Sequence, residues 1–313
     1  MFVGSMLIDI KFAPNDFELP DQCWEHVFKF LMHHENNNHS SCDLKPLSVV
    51  SKYFLSVTNR LRYSPTIKPH IRHNLPCLFR RFPNLTSLNL NNIHGDLDKL
   101  IQIPGFPLNL TSLHLSFITT YQLLRAFSTK ITTLTSLTCS FVGCLRSTEM
   151  SKIANCFPNL QLFYLNHCYD IHEESIAHVL KTCCNIRHLN LDRCSGVKLH
   201  GINFQVPKLE VLNLSYTEFD DQTLDVISKI CRGLLQLVLE SCHNITKEGV
   251  MHVVENCTQL REINLKCCVE VLSEVITLMV SSSLSLRKII VPYRGLFTNE
   301  QIQLFLCQGC LIC

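Results

Sequence analysis

One phrase, L-x-x-L-x-L, recurs nine times from residue 82 onward, and it limits the possible folds more than any other feature of the chain. Its first positions are Leu85, Leu110, Leu134, Leu160, Ile186, Leu209, Leu234, Leu260 and Leu286, spaced 23 to 26 residues apart. All 27 pattern positions are apolar in a chain that is 46% hydrophobic, roughly a one-in-a-billion coincidence for independent residues. The phrase carries its own geometry. In x-L-x-L the two leucines lie two residues apart and point to one face of a strand, while the residues between them point to the other. A unit of about 25 residues cannot bury such a face alone, so neighbouring copies must stack their leucines into a continuous core.

The segments between copies return the chain to the next strand. Ile176, Leu180 and Cys183 follow helical spacing, as do Leu224, Ile227 and Cys231, and Val250, Val253 and Cys257. The returns of the first three copies lack a clear helical pattern, and Pro104, Gly105 and Pro107 break the first, so irregular backs are expected there. Cysteines share the register. Cys168, Cys194, Cys242 and Cys268 each stand eight residues after a first position, and Cys183, Cys231 and Cys257 three before the next one. Such spacing puts them on separate turns, as small buried hydrophobes rather than metal ligands. This pattern resembles the cysteine-containing subtype of leucine-rich repeats. The expected fold is α/β: a leucine-rich-repeat solenoid of about nine repeats in a right-handed horseshoe arc, over residues 82–313.

Upstream the pattern changes. Pro20 suits a first helical position, and Trp24, Val27, Phe28 and Leu31 mark one helical face. A polar stretch at 33–41 reads as a loop, and Leu44, Leu47, Val50, Phe54, Leu55 and Leu61 form a second apolar series. LPDQCWEHVFKFL followed by LKPLSVVSKYFLSVTNRL resembles an F-box, particularly the plant versions that precede leucine-rich repeats. The resemblance implies a small all-helical F-box at 17–62 that binds a Skp-type adaptor and, through it, a cullin. Carried across, the adaptor-binding positions are Leu19, Pro20, Val27, Leu31, Leu44, Leu47, Val50 and Phe54; Phe54 stands where many members have Trp. Residues 1–16 read as a flexible leader and 63–81 as a linker or solenoid cap.

Residues alternating with the buried leucines should line the concave face of the repeat sheet. The first three repeats offer Ser87, Asn89, Asn91, Ser112, His114, Ser136 and Thr138, a neutral hydrogen-bonding surface. Repeat five brings Arg187, His188, Asn190, Asp192 and Arg193, and the last two bring Lys266 and Lys288 with Arg261, Arg287 and Arg294 nearby. At the eighth position Phe117, Phe141, His167, Arg193, Tyr216 and Tyr293 make a partly aromatic ladder along one rim. Aromatics and arginine anchor interfaces. The expectation is a protein substrate with an acidic segment, bound through Arg187, His188, Arg193, Tyr216, Lys266 and Lys288.

The remaining signals are exclusions. A net charge of +2 favours neither nucleic acid nor an anionic membrane, and no apolar run approaches the ~20 residues of a membrane helix. The N-terminal apolar stretch lacks a basic n-region and is interrupted by Asp9, so cytoplasmic or nuclear residence with reduced thiols is expected. HEESIAH at 172–178 spaces its histidines six apart, where a zinc-protease helix needs four. CQGCLIC at the end has no evident fourth ligand and reads as a terminal cap. No catalytic residues, metal or cofactor are expected. The functional expectation is a substrate-recognition subunit of a Skp–cullin–F-box ubiquitin ligase; the alternative is a repeat scaffold or inhibitor that never engages a ligase.

Overall fold

The structure, a computed structural model, describes residues 19–34, 44–61, 63–64, 74–90, 102–106, 108–116, 121–141, 147–169, 171, 173–197, 199–293 and 295–313. The expected leader at 1–16, Asn91, Phe117, His172 and Arg294 lie outside these residues. The chain divides into two compact units, Met1–Arg62 and Tyr63–Cys313.

The first unit is helical, with α1 (Asp21–His34), the short α2 (Lys45–Ser48) and α3 (Lys52–Arg60). Ser51 starts α3 by accepting the Phe54 amide proton, which satisfies one of the orphan donors of a helix start. Phe28 and Val57 are buried, and the rings of Trp24, Phe28 and Phe54 pack with centroids 4.7 to 5.8 Å apart. The polar side of the same helix pair is pinned by Arg60, which bonds Asp21 at 2.7 Å and Glu25 at 2.8 Å.

The second unit is a parallel sheet whose ten described strands lie in sequence order. They are β1 (Ser87–Leu90), β2 (Ser112–Ser116), β3 (Ser136–Ser140), β4 (Leu162–Asn166), β5 (His188–Asn190), β6 (Val211–Asn213), β7 (Gln236–Val238), β8 (Glu262–Asn264), β9 (Lys288–Ile290) and β10 (Leu311–Ile312). The register follows the repeat. Fourth positions pair in one file: Leu88, Leu113, Leu137, Phe163, Leu189, Leu212, Leu237, Ile263, Ile289 and finally Ile312. All 27 apolar pattern positions are buried, the most exposed being Val291 at 7%. The first edge is covered by the chain before it: Tyr63 accepts the amides of Thr86 and Ser87, and α4 (Leu75–Arg81) buries Leu75 and Phe79 in the core.

Two sequence expectations need correction. Helices stand behind β2 and β3, where irregular backs were expected: α5 (Tyr121–Lys130) and α6 (Ser147–Cys156). They are held by short apolar faces at helical spacing, Leu124 and Phe127 in the first, continued by Ile131, and Met150, Ile153 and Ala154 in the second, continued by Phe157, all buried. The tail adds a tenth strand. It escaped the repeat count because Gly309 occupies the position where the other copies carry Leu or Ile. Further helices are α7 (Glu173–Thr182), α8 (Asp221–Ile230), α9 (Lys247–Asn256), α10 (Ser273–Ser282) and α11 (Asn299–Cys307). Between β5 and β6 the described residues form no helix. Gly196, Gly201 and Pro207 oppose one there, and Leu199, Ile202 and Val206 fill the core instead.

Candidate functional site

In the first unit the eight sequence-predicted residues separate into two groups. Leu19, Pro20, Val27 and Val50 are exposed, with Phe30 and Val49 adding to the apolar surface of the same unit. Leu44 is buried, and Phe54 lies half-buried against Trp24 and Phe28, so these two shape the unit from within. Leu47 is half-buried, and the Leu31 side chain lies outside the described set. Tyr53 donates to Asp21 at 2.6 Å and reaches the Leu19 carbonyl at 3.4 Å, which fixes the Leu-Pro entry against α3.

On the second unit, position in the repeat decides what touches what. Residues at the same position in adjacent copies are neighbours across the parallel sheet, and three of the predicted cations meet carboxylates this way. Arg187 pairs with Glu210 at 3.1 Å, Lys266 with Glu240 at 2.8 Å, and Lys288 with Glu262 at 2.8 Å. The bond from Lys266 holds the Glu240 carboxyl below its ordinary range. Exposed pairs of this kind add little to stability, but they neutralise what the sequence presents as a cationic strip.

The rim is built by a backbone device. Phe141, His167, Arg193, Tyr216, Ser241 and Cys267, the eighth residues of six successive repeats, all have φ between 53° and 61°. Each donates its amide proton to the carbonyl of the next copy's seventh residue, at 2.8 to 3.0 Å. In three copies an asparagine prepares the turn: Asn190, Asn213 and Asn264 accept the amide protons of Asp192, Ser215 and Lys266. The left-handed backbone costs about 1–3 kcal/mol per non-glycine residue, offset by this hydrogen-bond file. Side chains on the rim stack in consequence. Phe141 lies on His167 at 4.5 Å with ring planes 15° apart, and the Arg193 guanidinium lies 4.1 Å over the Tyr216 ring. Tyr216 in turn donates to Glu240 at 3.1 Å.

Beside this ladder, where the helix-free fifth return meets the start of α8, lies a cleft of about 430 Å³. His167, Arg193, Tyr216, Val197, His200 and Glu218 are among the residues that line it. Asp220, the N-cap of α8, accepts the Thr223 amide and hydroxyl at 2.9 and 2.8 Å and lies 3.1 Å from His200 Nε2. Burial pushes its carboxyl up, but these donors outweigh it and hold the group below its ordinary range. His188 stands apart on the sheet face, 3.5 Å from the Tyr164 hydroxyl. The sequence signal for the cleft was the shortest repeat spacing, 23 residues from Ile186 to Leu209.

The in-register cysteines are core residues. Cys194, Cys242 and Cys268 each donate a thiol proton to a main-chain carbonyl of the preceding copy, at 2.9 to 3.2 Å, and Cys168, Cys183 and Cys257 do so at 3.4 to 3.5 Å. Burial pushes the thiols of Cys183, Cys231 and Cys268 up to about 12 and that of Cys257 to about 11. Among the described residues no group of three His, Cys, Asp or Glu side chains could hold a metal ion, and no helix is long and apolar enough to cross a membrane.

No protein-family model matches the chain. Among curated proteins it is 29% identical over 137 residues to F-box/LRR-repeat protein 4 of Bos taurus, a match covering 42% of this chain and 22% of that protein. The chain therefore spans about a fifth of that relative. Among solved structures it is similar to a chain of the yeast Rad7 and Elc1 complex, with a TM-score of 0.55 and 14% identity over 93% of this chain and 92% of that one. It is also similar to the leucine-rich repeat-containing protein LegL7 from Legionella pneumophila, with a TM-score of 0.50 and 17% identity over 80% and 87%. By fold the chain is a leucine-rich-repeat protein, and by sequence it is related over 137 residues to an F-box/LRR-repeat protein.

Proposed function

We propose that this chain is the substrate-recognition subunit of a Skp–cullin–F-box ubiquitin ligase, with an F-box in the first unit and a protein substrate held on the repeat sheet and its rim. The observation that carries the reading is the apolar surface of the helical unit. Leu19, Pro20, Val27, Phe30, Val49 and Val50 face solvent, with Val49 at 82% exposure, although Phe28 and Val57 give the unit a core of its own. Burying such side chains against a partner is worth about 1.5–3 kcal/mol each when complete. Relatedness to an F-box/LRR-repeat protein and similarity to a chain solved in complex with another protein support the same assignment. The similarity to plant F-boxes rests on the N-terminal residues alone; the curated relative is a cattle protein.

In this reading the chain performs no chemistry. Tethering raises the local concentration of a substrate lysine at the ubiquitin thioester carried by another subunit, which converts a bimolecular encounter into a nearly intramolecular one. Exposed rim residues, the neutral sheet face of repeats one to three and the cleft supply the substrate contacts. The proposed site of action is the cytoplasm or nucleus. Leu19→Ala combined with Pro20→Ala tests the reading: capture of a Skp-type adaptor should be lost while the far-ultraviolet spectrum of the repeats is unchanged. Undiminished capture by the double variant would overturn the assignment of this surface.

A further inference from the structure

We infer that the cleft between the fifth return and α8 holds a carboxylate side chain of the substrate, with Arg193 as its ligand. This rests on the repeat unit being the substrate-holding one. Arg187, Lys266 and Lys288 each spend their charge on a glutamate in the adjacent repeat. Arg193 forms no ion pair with a glutamate of an adjacent repeat among the described residues; the carboxylate it attracts is that of its sequence neighbour Asp192. The column neighbours of Arg193 are His167 and Tyr216, and its guanidinium carbon lies 4.1 Å from the centroid of the tyrosine ring. A cation–π contact consumes none of the guanidinium N–H donors, whose fork matches a planar carboxylate. Stacking also restricts the side chain before any ligand arrives, so less conformational entropy is lost on binding. The left-handed backbone at residue 193 and the hydrogen bond its N–H donates to the Ser215 carbonyl hold the base of the side chain.

The acidic groups nearby decide which anion. Asp220 is occupied by Thr223 and His200, but Glu218, also in the lining of the cleft, is exposed, and Asp192 adjoins Arg193. A phosphate near its second ionisation carries about −1.5 to −2 charge and meets this repulsion twice over. A carboxylate carries −1 and matches the fork. Its aliphatic stem would rest against Val197 and the exposed Tyr169 ring, both in the lining of the cleft. The cleft volume lies within the range of small-ligand and side-chain pockets.

Full-length protein labelled with ¹⁵N-arginine, its Arg193 Nε–Hε resonance assigned with Arg193→Gln, supplies the test. N-acetyl-glutamate amide, N-acetyl-glutamine amide and N-acetyl-phosphoserine amide are the three probes. The expected result is a saturable Arg193 shift with the glutamate probe, at least tenfold tighter than with the glutamine probe and tighter than with the phosphoserine probe. Glu218→Gln should tighten the glutamate probe two- to fivefold, an effect of opposite sign to anything a loss of structure would cause. Equal response to all three probes, tighter binding of the phosphoserine probe, or no Arg193 shift would each overturn the inference. Adaptor capture is measured separately on the first unit, so a failure here is distinguishable from a failure of the ligase reading.

Discussion

Replacing Gly249 with alanine should destabilise the protein, although the same exchange in an ordinary helix stabilises it by about 0.8–1 kcal/mol. Gly249 is the third residue of α9, and a Cβ there would stand 2.2 Å from Asp221 Oδ1 and 3.0 Å from Asp221 Cα. Asp221 is not free to yield. Its carboxylate accepts the Thr246 amide at 2.9 Å and the Thr246 hydroxyl at 2.6 Å, which ties the start of α8 to the start of α9. Displacing it loses two hydrogen bonds to a charged acceptor, each worth about 1.5–3 kcal/mol. At this half-exposed site the lower figure applies, so about 3 kcal/mol is lost and about 1 kcal/mol of helix propensity regained. The net expectation is a loss of about 2 kcal/mol in urea unfolding followed by circular dichroism. In an Asp221→Ala background the cost of the glycine exchange should fall by at least half. An alanine variant more stable than the parent would refute the close approach of the two repeats.

Three further outcomes are expected. Ser241→Val should cost about 1–3 kcal/mol because a β-branched residue must enter the left-handed region at φ 57°, whereas Ser241→Gly should stay within about 1 kcal/mol; thermal or urea unfolding reads both. At pH 8 iodoacetamide should modify the exposed Cys184, Cys267, Cys307 and Cys313 in the native protein but leave Cys183, Cys231, Cys257 and Cys268 intact by mass spectrometry, since their raised thiol ionisation leaves at most about one thiolate in a thousand. Glu240 and Asp220 ionise below their ordinary ranges in the fold, so the stability they contribute is complete at neutral pH and lost as pH falls below about 4.3 and through the folded values. Lys266→Met should make that acid limb shallower, and an unchanged limb would show that the Lys266–Glu240 bond does not form in solution.

Much of the fold was legible because the repeat is a strong, redundant signal. Each fourth-position leucine pairs with the same position in the next copy, so the alignment of phrases already was the strand register. What escaped was carried by few residues. The backs of repeats two and three carried a short signal that was passed over: Leu124, Phe127 and Ile131, and Met150, Ile153, Ala154 and Phe157, keep helical spacing and are buried. The last strand hides behind Gly309. The basic residues were readable one at a time as a cationic patch, but their partners Glu210, Glu240 and Glu262 occupy the same positions of neighbouring copies, and comparing columns rather than rows would have paired them. The rim ladder was visible in sequence as a recurring aromatic position. Its geometry was not, because a left-handed residue without glycine leaves no compositional mark; only the asparagine three residues earlier, at 190, 213 and 264, foreshadows it.

Mixing the purified full-length chain with a recombinant Skp-type adaptor and weighing the product by light scattering after size exclusion is the most direct measurement. A one-to-one complex that also retains a cullin N-terminal domain is the expected result. Two separate peaks at micromolar concentrations of a folded chain would contradict the ligase role and leave a repeat protein whose helical unit does no more than fold beside it.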